Sequence, residues 1–194
     1  MTTTMTTHPQ SPTADEFALV QEACINADAF GELYRRHVTR VYRYHMAHTG
    51  NIKDAEDLTS QTFMAALEGI RSFRGSGSFA AWILGIAARK KSMFFRRNGI
   101  RPEVSIEAAD HIPSPNPGTD QLANQRLRLD SITRALKQIS PERADAIALY
   151  FFSELTYAEA GHVLKKSEAA AKMLVSRGLQ DLRERTSLEF EVER

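Results

Sequence analysis

The sequence predicts an all-α protein: two small helical domains joined by a flexible linker, the C-terminal one a helix-turn-helix. Three observations lead there. Apolar residues recur at helical spacing in two blocks, and no segment alternates as a half-buried strand would. An acidic, proline-rich stretch separates the blocks. The last block reads as a short helix, a tight turn and a longer helix. A chain of 194 residues, 42% hydrophobic, holds enough apolar side chains for two ordinary cores, each of them small. The expected layout is a disordered tail over residues 1–14, a helical domain over 15–97, a linker over 98–121, a helix-turn-helix domain over 122–186 and a tail over 187–194.

The first helix carries Phe30, Leu33, Tyr34, Val38, Val41 and Tyr42 on one stripe, and Gly50-Asn51 ends it. A second starts between Asn51 and Asp54 and is expected to bury Leu58, Phe63, Leu67 and Ile70. Gly75-Ser76-Gly77-Ser78 reads as a loop, because two glycines so close disfavour a continuous helix. A third helix follows with Phe79, Trp82, Ile83, Ile86 and Ala87, and ends among the bases Arg96 and Arg97. Then Pro102, Pro113, Pro115 and Pro117 interrupt any helix, and Glu103, Glu107, Asp110 and Asp120 stand with no Lys or Arg among them. About 20 extended residues at roughly 3.1 Å each reach about 60 Å. That approaches two turns of B-DNA at roughly 34 Å per turn.

Helical spacing resumes at Leu129, Ile132, Leu136 and Ile139. Ser140-Pro141 marks a new helix start, a capping hydroxyl followed by proline at the first helical position, and Ile147, Ala148 and Phe151 continue that helix. Thr156-Tyr157-Ala158-Glu159 has the form of a capping box, opening a short helix through Ala160, Val163 and Leu164. Lys165-Lys166-Ser167 makes the turn, with Ser167 as the next cap, and the last helix carries Ala171, Leu174, Val175, Leu179 and Leu182.

Composition excludes several classes. Net charge is only +1, so any nucleic-acid binding must come from local charge. The single cysteine, Cys24, excludes an intrachain disulfide and a multi-cysteine zinc site; its neighbours Phe17, Val20 and Ile25 predict a buried thiol. No apolar run is long enough to span a bilayer, and the N-terminal stretch has no signal-peptide core, so a cytoplasmic protein without membrane insertion is expected. His45 and His48 are three apart on a helix, but His37 lies too far along it to complete a set, so no metal is expected. No acid, base and nucleophile converge as an enzyme would need.

Local charge is informative. Arg89, Lys90, Lys91, Arg96, Arg97 and Arg101 fall in an acid-free run, interleaved with Phe94 and Phe95 and preceded by Phe79 and Trp82. Cations neutralise phosphates and aromatic faces accept unstacked bases, so this helix suits single-stranded DNA, unless the aromatics are core residues at a solvated helix end. The loop Phe73-Arg74-Gly75-Ser76-Gly77-Ser78 offers donors and close backbone approach for a flipped base, or is a plain turn. In the last motif Glu168, Ala169, Lys172, Met173 and Ser176 are placed to face the major groove, with Lys165, Lys166, Ser167 and Arg177 nearer the phosphates. The acids Asp54, Glu56 and Asp57 suit a protein-contact surface, and their place in a first helical turn explains part of the pattern.

These residues together resemble a known family. Phe30-x-x-Leu33-Tyr34, Asp54-Ala55-Glu56-Asp57-Leu58 with Phe63, and Ser78-Phe79-x-x-Trp82-Ile83 look like region two of an extracytoplasmic-function (ECF) sigma factor. Ile139-Ser140-Pro141 through Leu155-Thr156-Tyr157-x-Glu159, then Lys172 to Arg177 and Leu182-Arg183, look like region four. The resemblance implies a bacterial initiation subunit, without catalytic residues or cofactor, that binds core RNA polymerase through Asp54, Asp57, Leu58 and Gln61. It implies that Phe73, Arg74, Ser76, Ser78, Phe79, Trp82, Arg89, Lys90, Arg96 and Arg97 open and capture the minus-ten element as single strand. It implies further that Lys165, Lys166, Ser167, Glu168, Ala169, Lys172, Met173, Ser176 and Arg177 read the minus-thirty-five element as duplex. The linker would thread a basic channel of the polymerase, and its length would let an anti-sigma factor clasp both halves.

The sequence departs from the family pattern in places. Ser60-Gln61 replaces a Gln-Glu pair, and Arg89 and Met93 stand where Asn and Asp are common. Leu174 stands at a frequently basic position. Gly161 follows Glu159-Ala160 where the family has Ala, a change expected to cost the helix about 1 kcal/mol. Two other readings compete: a stand-alone helix-turn-helix regulator with a helical sensor domain, and a sigma-like module that only sequesters a protein partner.

Overall fold

The structure is a computed structural model that describes residues 14–99 and 131–192, with side chains described from 15 to 184. Both tails beyond these limits, Leu129 and the linker from 100 onward lie outside the described residues.

Every described element is helical. Helix α1 spans Ala14–Ala23 and α2 spans Ala27–Thr49. Asn26 caps α2 by accepting the Asp28 N–H at 2.9 Å, and Gly50 ends it at φ +67°, where its N–H returns to the Met46 carbonyl. Helix α3 spans Ile52–Gly69, capped by Asn51 through the Asp54 N–H, and closes with a 3-10 turn over Ile70–Ser72. Helix α4 spans Phe79–Arg97, and Ser78 caps it by accepting the Ala81 N–H at 3.1 Å. Asn98 caps its far end.

Residues 131–137 are helical (α5). Helix α6 runs Pro141–Ile147 with proline in its first turn, though the Ser140 hydroxyl makes no capping bond, and it widens into a π-turn over Ala148–Phe152. Helix α7 spans Tyr157–Leu164 with both arms of the expected capping box in place: Glu159 N–H to Thr156 Oγ1, and Thr156 N–H to Glu159 Oε2. Helix α8 spans Glu168–Val192, and Ser167 accepts the Ala170 N–H at 3.2 Å.

Burial explains the assembly. In the first half α2, α3 and α4 close on Leu33, Val41, Phe63, Ala66, Phe79, Ile83 and Leu84, and α1 adds Val20 and Ala23. The partly buried Glu16 lies 3.0 Å from His37 and joins α1 to α2. In the second half α6, α7 and α8 bury Ile147, Leu149, Leu155, Ala160, Ala171 and Val175. Gly178 lets α8 approach α6 closely, since a Cβ there would stand 2.8 Å from Ile147 Cδ1.

Several expectations are corrected. Leu67 is 52% exposed, because Ala66 takes the core position. Cys24 is only partly buried, beside an Ile25 that is 88% exposed, and its thiol donates to the Val20 carbonyl at 3.4 Å. The apolar spacing does not announce α1, and nothing in it marks the π-turn. The two halves also pack against each other, α4 on α7 and α2 on the π-turn, so one apolar cluster runs through both.

Candidate nucleic-acid interface

The exposed end of α4 follows from its sequence. Its apolar stripe turns inward, which leaves Arg89, Arg96 and Arg97 exposed and Lys90 half-buried. The half-buried Trp82 lines a groove of about 300 Å³ between α3 and α4, together with Ile86, Arg89, Lys90 and Met93. An aromatic ring beside cations is what a base and its phosphate require. Arg74 and Ser76 are exposed on the preceding loop, where Gly75 and Gly77 have φ +73° and +103°.

Three expected DNA-contacting residues are placed otherwise. Phe79 is fully buried and Phe73 is 7% exposed. They cluster with Trp82, Phe79 tilted against it at a ring distance of 5.3 Å and Phe73 edge-on at 5.7 Å. Neither ring has a face free for a base; both orient the indole. Ser78 is also buried, with its hydroxyl hydrogen-bonded to Glu159 from the other half. Lys91, counted in the basic run, is 7% exposed and donates to Asp145.

On α3 the expected protein-contact residues divide. Asp57 is exposed and accepts a 2.7 Å hydrogen bond from Gln61, and Asp54 is half-buried. Leu58 is 1% exposed and belongs to the core, so it holds the helix rather than offering a surface. Sequence reasoning missed Met64, 64% exposed one heptad beyond Asp57, and misplaced Leu67. Together these form a polar stripe that continues into an apolar one. An unbranched methionine outside the core spacing was the available signal.

Lys165, Lys166, Ser167, Glu168, Ala169, Lys172, Met173, Ser176 and Arg177 are all exposed. The turn is built by Lys165 in the left-handed region at φ +56° and by the Lys166 N–H bonded to the Gly161 carbonyl at 2.8 Å. Gly161 is required by this turn. A Cβ there would stand 2.8 Å from the Lys166 carbonyl oxygen and 3.2 Å from two Ser167 backbone atoms. Leu174 is half-buried and lines a cleft between α6 and α8 with Arg143, Lys166 and Arg177.

The histidines are committed to other partners. His45 Nε2 lies 3.1 Å from Thr62 Oγ1, whose own proton goes to the Leu58 carbonyl. Its Nε2 therefore donates and the ring is neutral; burial, then His48 and Lys91, push its pKa down to about 3. His48 Nε2 stands 3.0 Å from Asp145 Oδ1, and burial together with Lys91 lowers its pKa despite that carboxylate. Burial alone would raise the Asp145 pKa, but His48 and Lys91 hold the carboxyl well below its usual range. Burial, followed by Asp145, raises the Tyr44 phenol. No cluster of three or more metal-ligating side chains occurs among the described residues, and no described helix is long and apolar enough to cross a membrane.

Comparison with known proteins assigns the two halves. Residues 33–100 match the Sigma-70 region 2 family and residues 135–184 match Sigma-70, region 4. BldN of Streptomyces coelicolor, an ECF RNA polymerase sigma factor, is 34% identical over 161 residues, covering 80% of this chain and 60% of BldN. The chain thus spans about three-fifths of that relative's length. The solved structure of CnrH in complex with the cytosolic domain of CnrY superposes with a TM-score of 0.71 at 22% identity, covering 91% of this chain and 99% of CnrH. The sigma factor RpoE of Bartonella quintana, solved in complex with the anti-sigma factor NepR, gives 0.61 at 23% identity, covering 80% of this chain and 94% of RpoE. At these identities the two structures speak for the fold alone.

Proposed function

The chain belongs to the ECF sigma factors, with sigma regions 2 and 4 in order, and we propose that it binds bacterial core RNA polymerase and directs promoter recognition, DNA opening and transcription initiation. The observation that carries this reading is the groove of α4. Trp82 lines it beside the exposed Arg89 and the half-buried Lys90 on one helix, next to an exposed glycine-rich loop. A sensor domain would need neither.

In this reading Asp54, Asp57 and Gln61 dock region 2 on the polymerase, with Met64 and Leu67 adding apolar contact and Leu58 supporting the helix from within. Arg74 and Ser76 hold a flipped minus-ten base, and Trp82 stacks against the opened strand. Arg89, Lys90, Arg96 and Arg97 follow its phosphates. Phe73, Phe79 and Ser78 position these groups. Region 4 lays α8 in the major groove of the minus-thirty-five element: Glu168, Ala169, Lys172, Met173 and Ser176 face bases, and Lys165, Lys166, Ser167 and Arg177 contact phosphates. The polymerase performs the chemistry in the cytoplasm, and the chain needs no catalytic residue or cofactor of its own. The complex of RpoE with NepR supports an anti-sigma factor as a further partner.

Run-off transcription from genomic fragments, with and without core polymerase, tests the proposal. New starts that need both proteins, and vanish when Trp82 or the pair Arg96/Arg97 becomes Ala, are expected. Specific DNA binding without polymerase and without new starts would refute it in favour of an ordinary regulator.

A further inference from the structure

Asp145 on α6 meets three groups of the opposite half: two donate hydrogen bonds to it, and the third, His48 Nε2, lies at ion-pair distance without hydrogen-bond geometry. Lys91 of α4 donates to its Oδ1, Tyr44 Oη of α2 donates at 3.1 Å, and His48 Nε2 of α2 lies 3.0 Å away. Lys91 and His48 side chains are each only 9% exposed, and that of Asp145 20%. Further contacts flank this node. Ser78 hydrogen-bonds Glu159, Arg43 pairs with Glu154 at 3.0 Å, and the Ser153 hydroxyl donates to the Arg40 carbonyl at 3.4 Å. Region 2 supplies one side of every pair and region 4 the other.

The geometry places the two DNA-reading surfaces close together. Ser78 touches Glu159, and four helical residues separate Ser78 from Trp82, roughly 6 Å at 1.5 Å per residue. From Glu159 to Arg177 the path runs through two helical stretches and a three-residue turn, at most about 35 Å of chain. Trp82 and the recognition helix thus stand no more than ~50 Å apart while this seam is closed. Promoter positions ten and thirty-five base pairs upstream are separated by 25 steps, roughly 85 Å at 3.4 Å each. The closed molecule cannot reach both.

We infer that Asp145, with Lys91, Tyr44 and His48, is an intramolecular latch that holds regions 2 and 4 together, and that the latch must open before both promoter elements are read. The second half of this inference rests on the promoter-reading function proposed above. The chemistry suits a latch. A buried ion pair gains little net free energy over hydrated ions, because desolvation offsets the attraction, yet it fixes one geometry. Such a seam aligns the halves well and still releases to a competing partner. It also reaches the base of the minus-ten loop, where the buried Ser78 donates to Glu159.

Two measurements on the full chain, in a Cys24→Ser background, test the latch separately from the function. Spin labels at Arg71→Cys and Gln180→Cys, both exposed, report the distance between halves. The native latch is expected to give one short distance. Asp145→Ala should add a population extending toward the ~60 Å that the linker permits. Asp145→Asn, which keeps the shape and removes the charge, should do the same if Ala disturbs folding. An unchanged short distance in both variants, or a broad distribution with Asp145 intact, overturns the latch.

For the second part, Arg43→Cys and Glu154→Cys are joined by a short bis(methanethiosulfonate) cross-linker, which forms a reducible disulfide with each cysteine by displacing a sulfinate. Cross-linking is expected to lower run-off transcription at least about tenfold and reductant to restore it. Equal transcription from cross-linked and reduced protein overturns the requirement for opening. Absence of transcription from the reduced protein as well refutes the sigma function and leaves the distance measurement to judge the latch.

Discussion

Replacing Gly161 by Ala separates propensity from packing. By helix propensity alone the change should stabilise α7 by about 1 kcal/mol. The structure reverses the sign. The added Cβ would lie 2.8 Å from the Lys166 carbonyl oxygen, about 0.6 Å inside ordinary contact, and 3.2 Å from backbone atoms of Ser167. These are backbone atoms of a tight turn, so relief requires the turn to open. That strains the packing by roughly 1–3 kcal/mol and weakens the 2.8 Å bond from the Lys166 N–H to the Gly161 carbonyl, worth about 1 kcal/mol. After the propensity gain is subtracted, Gly161→Ala should lose about 1–3 kcal/mol. Gly85 provides the control. It lies within α4, where a Cβ would meet nothing within 4 Å, so Gly85→Ala should gain about 1 kcal/mol. Urea unfolding of the full chain followed by circular dichroism measures both. A Gly161→Ala variant as stable as the parent, or more so, would refute the packing argument.

Other consequences are open to direct measurement. His45 is held neutral with a pKa of about 3 against 6.5 unfolded, so the unfolded chain binds the extra proton first. Stability should be full above about pH 6.5 and fall on acidification, by roughly 2 kcal/mol at pH 5; denaturation midpoints at pH 7 and 5 that coincide would contradict this. The lowered His48 adds to the same slope, whereas Asp145 contributes its loss only below the normal carboxyl range. Phe79→Ala should cost about 3–5 kcal/mol in thermal unfolding, since the ring is fully buried. Trp82→Ala should cost less and instead abolish promoter opening, read by permanganate footprinting with polymerase. Replacing Arg96 and Arg97 by Ala should flatten the salt dependence of promoter complexes by about 1.4 in log–log slope, at roughly 0.7 per single-strand phosphate contact. An unchanged slope would remove these two residues from the DNA path.

The helix boundaries were legible in the sequence where the signal is local. Asn51, Ser78, Thr156 and Ser167 cap the helices they precede, each through a bond to a backbone N–H three residues on. Gly50 ends α2 at a positive φ that an L side chain resists. The exposure of the polar residues from Lys165 to Arg177 was legible for the same reason, because the capping box and turn fix the face that α8 turns outward.

The tertiary structure decided which apolar or charged residue of a suitable type is consumed inside. Ala66 rather than Leu67 enters the core, and Phe79 and Leu58 are buried while Met64 is not. Lys91, in the same basic run as Arg89 and Arg96, is spent on an acid 54 residues away. Gly161 reads as a weak helix residue until the backbone of the turn is seen against it. Caps and turns are set by bonds between residues two to five positions apart, which a linear reading contains. Burial and pairing are set by which helices meet, and that depends on the whole chain packing at once.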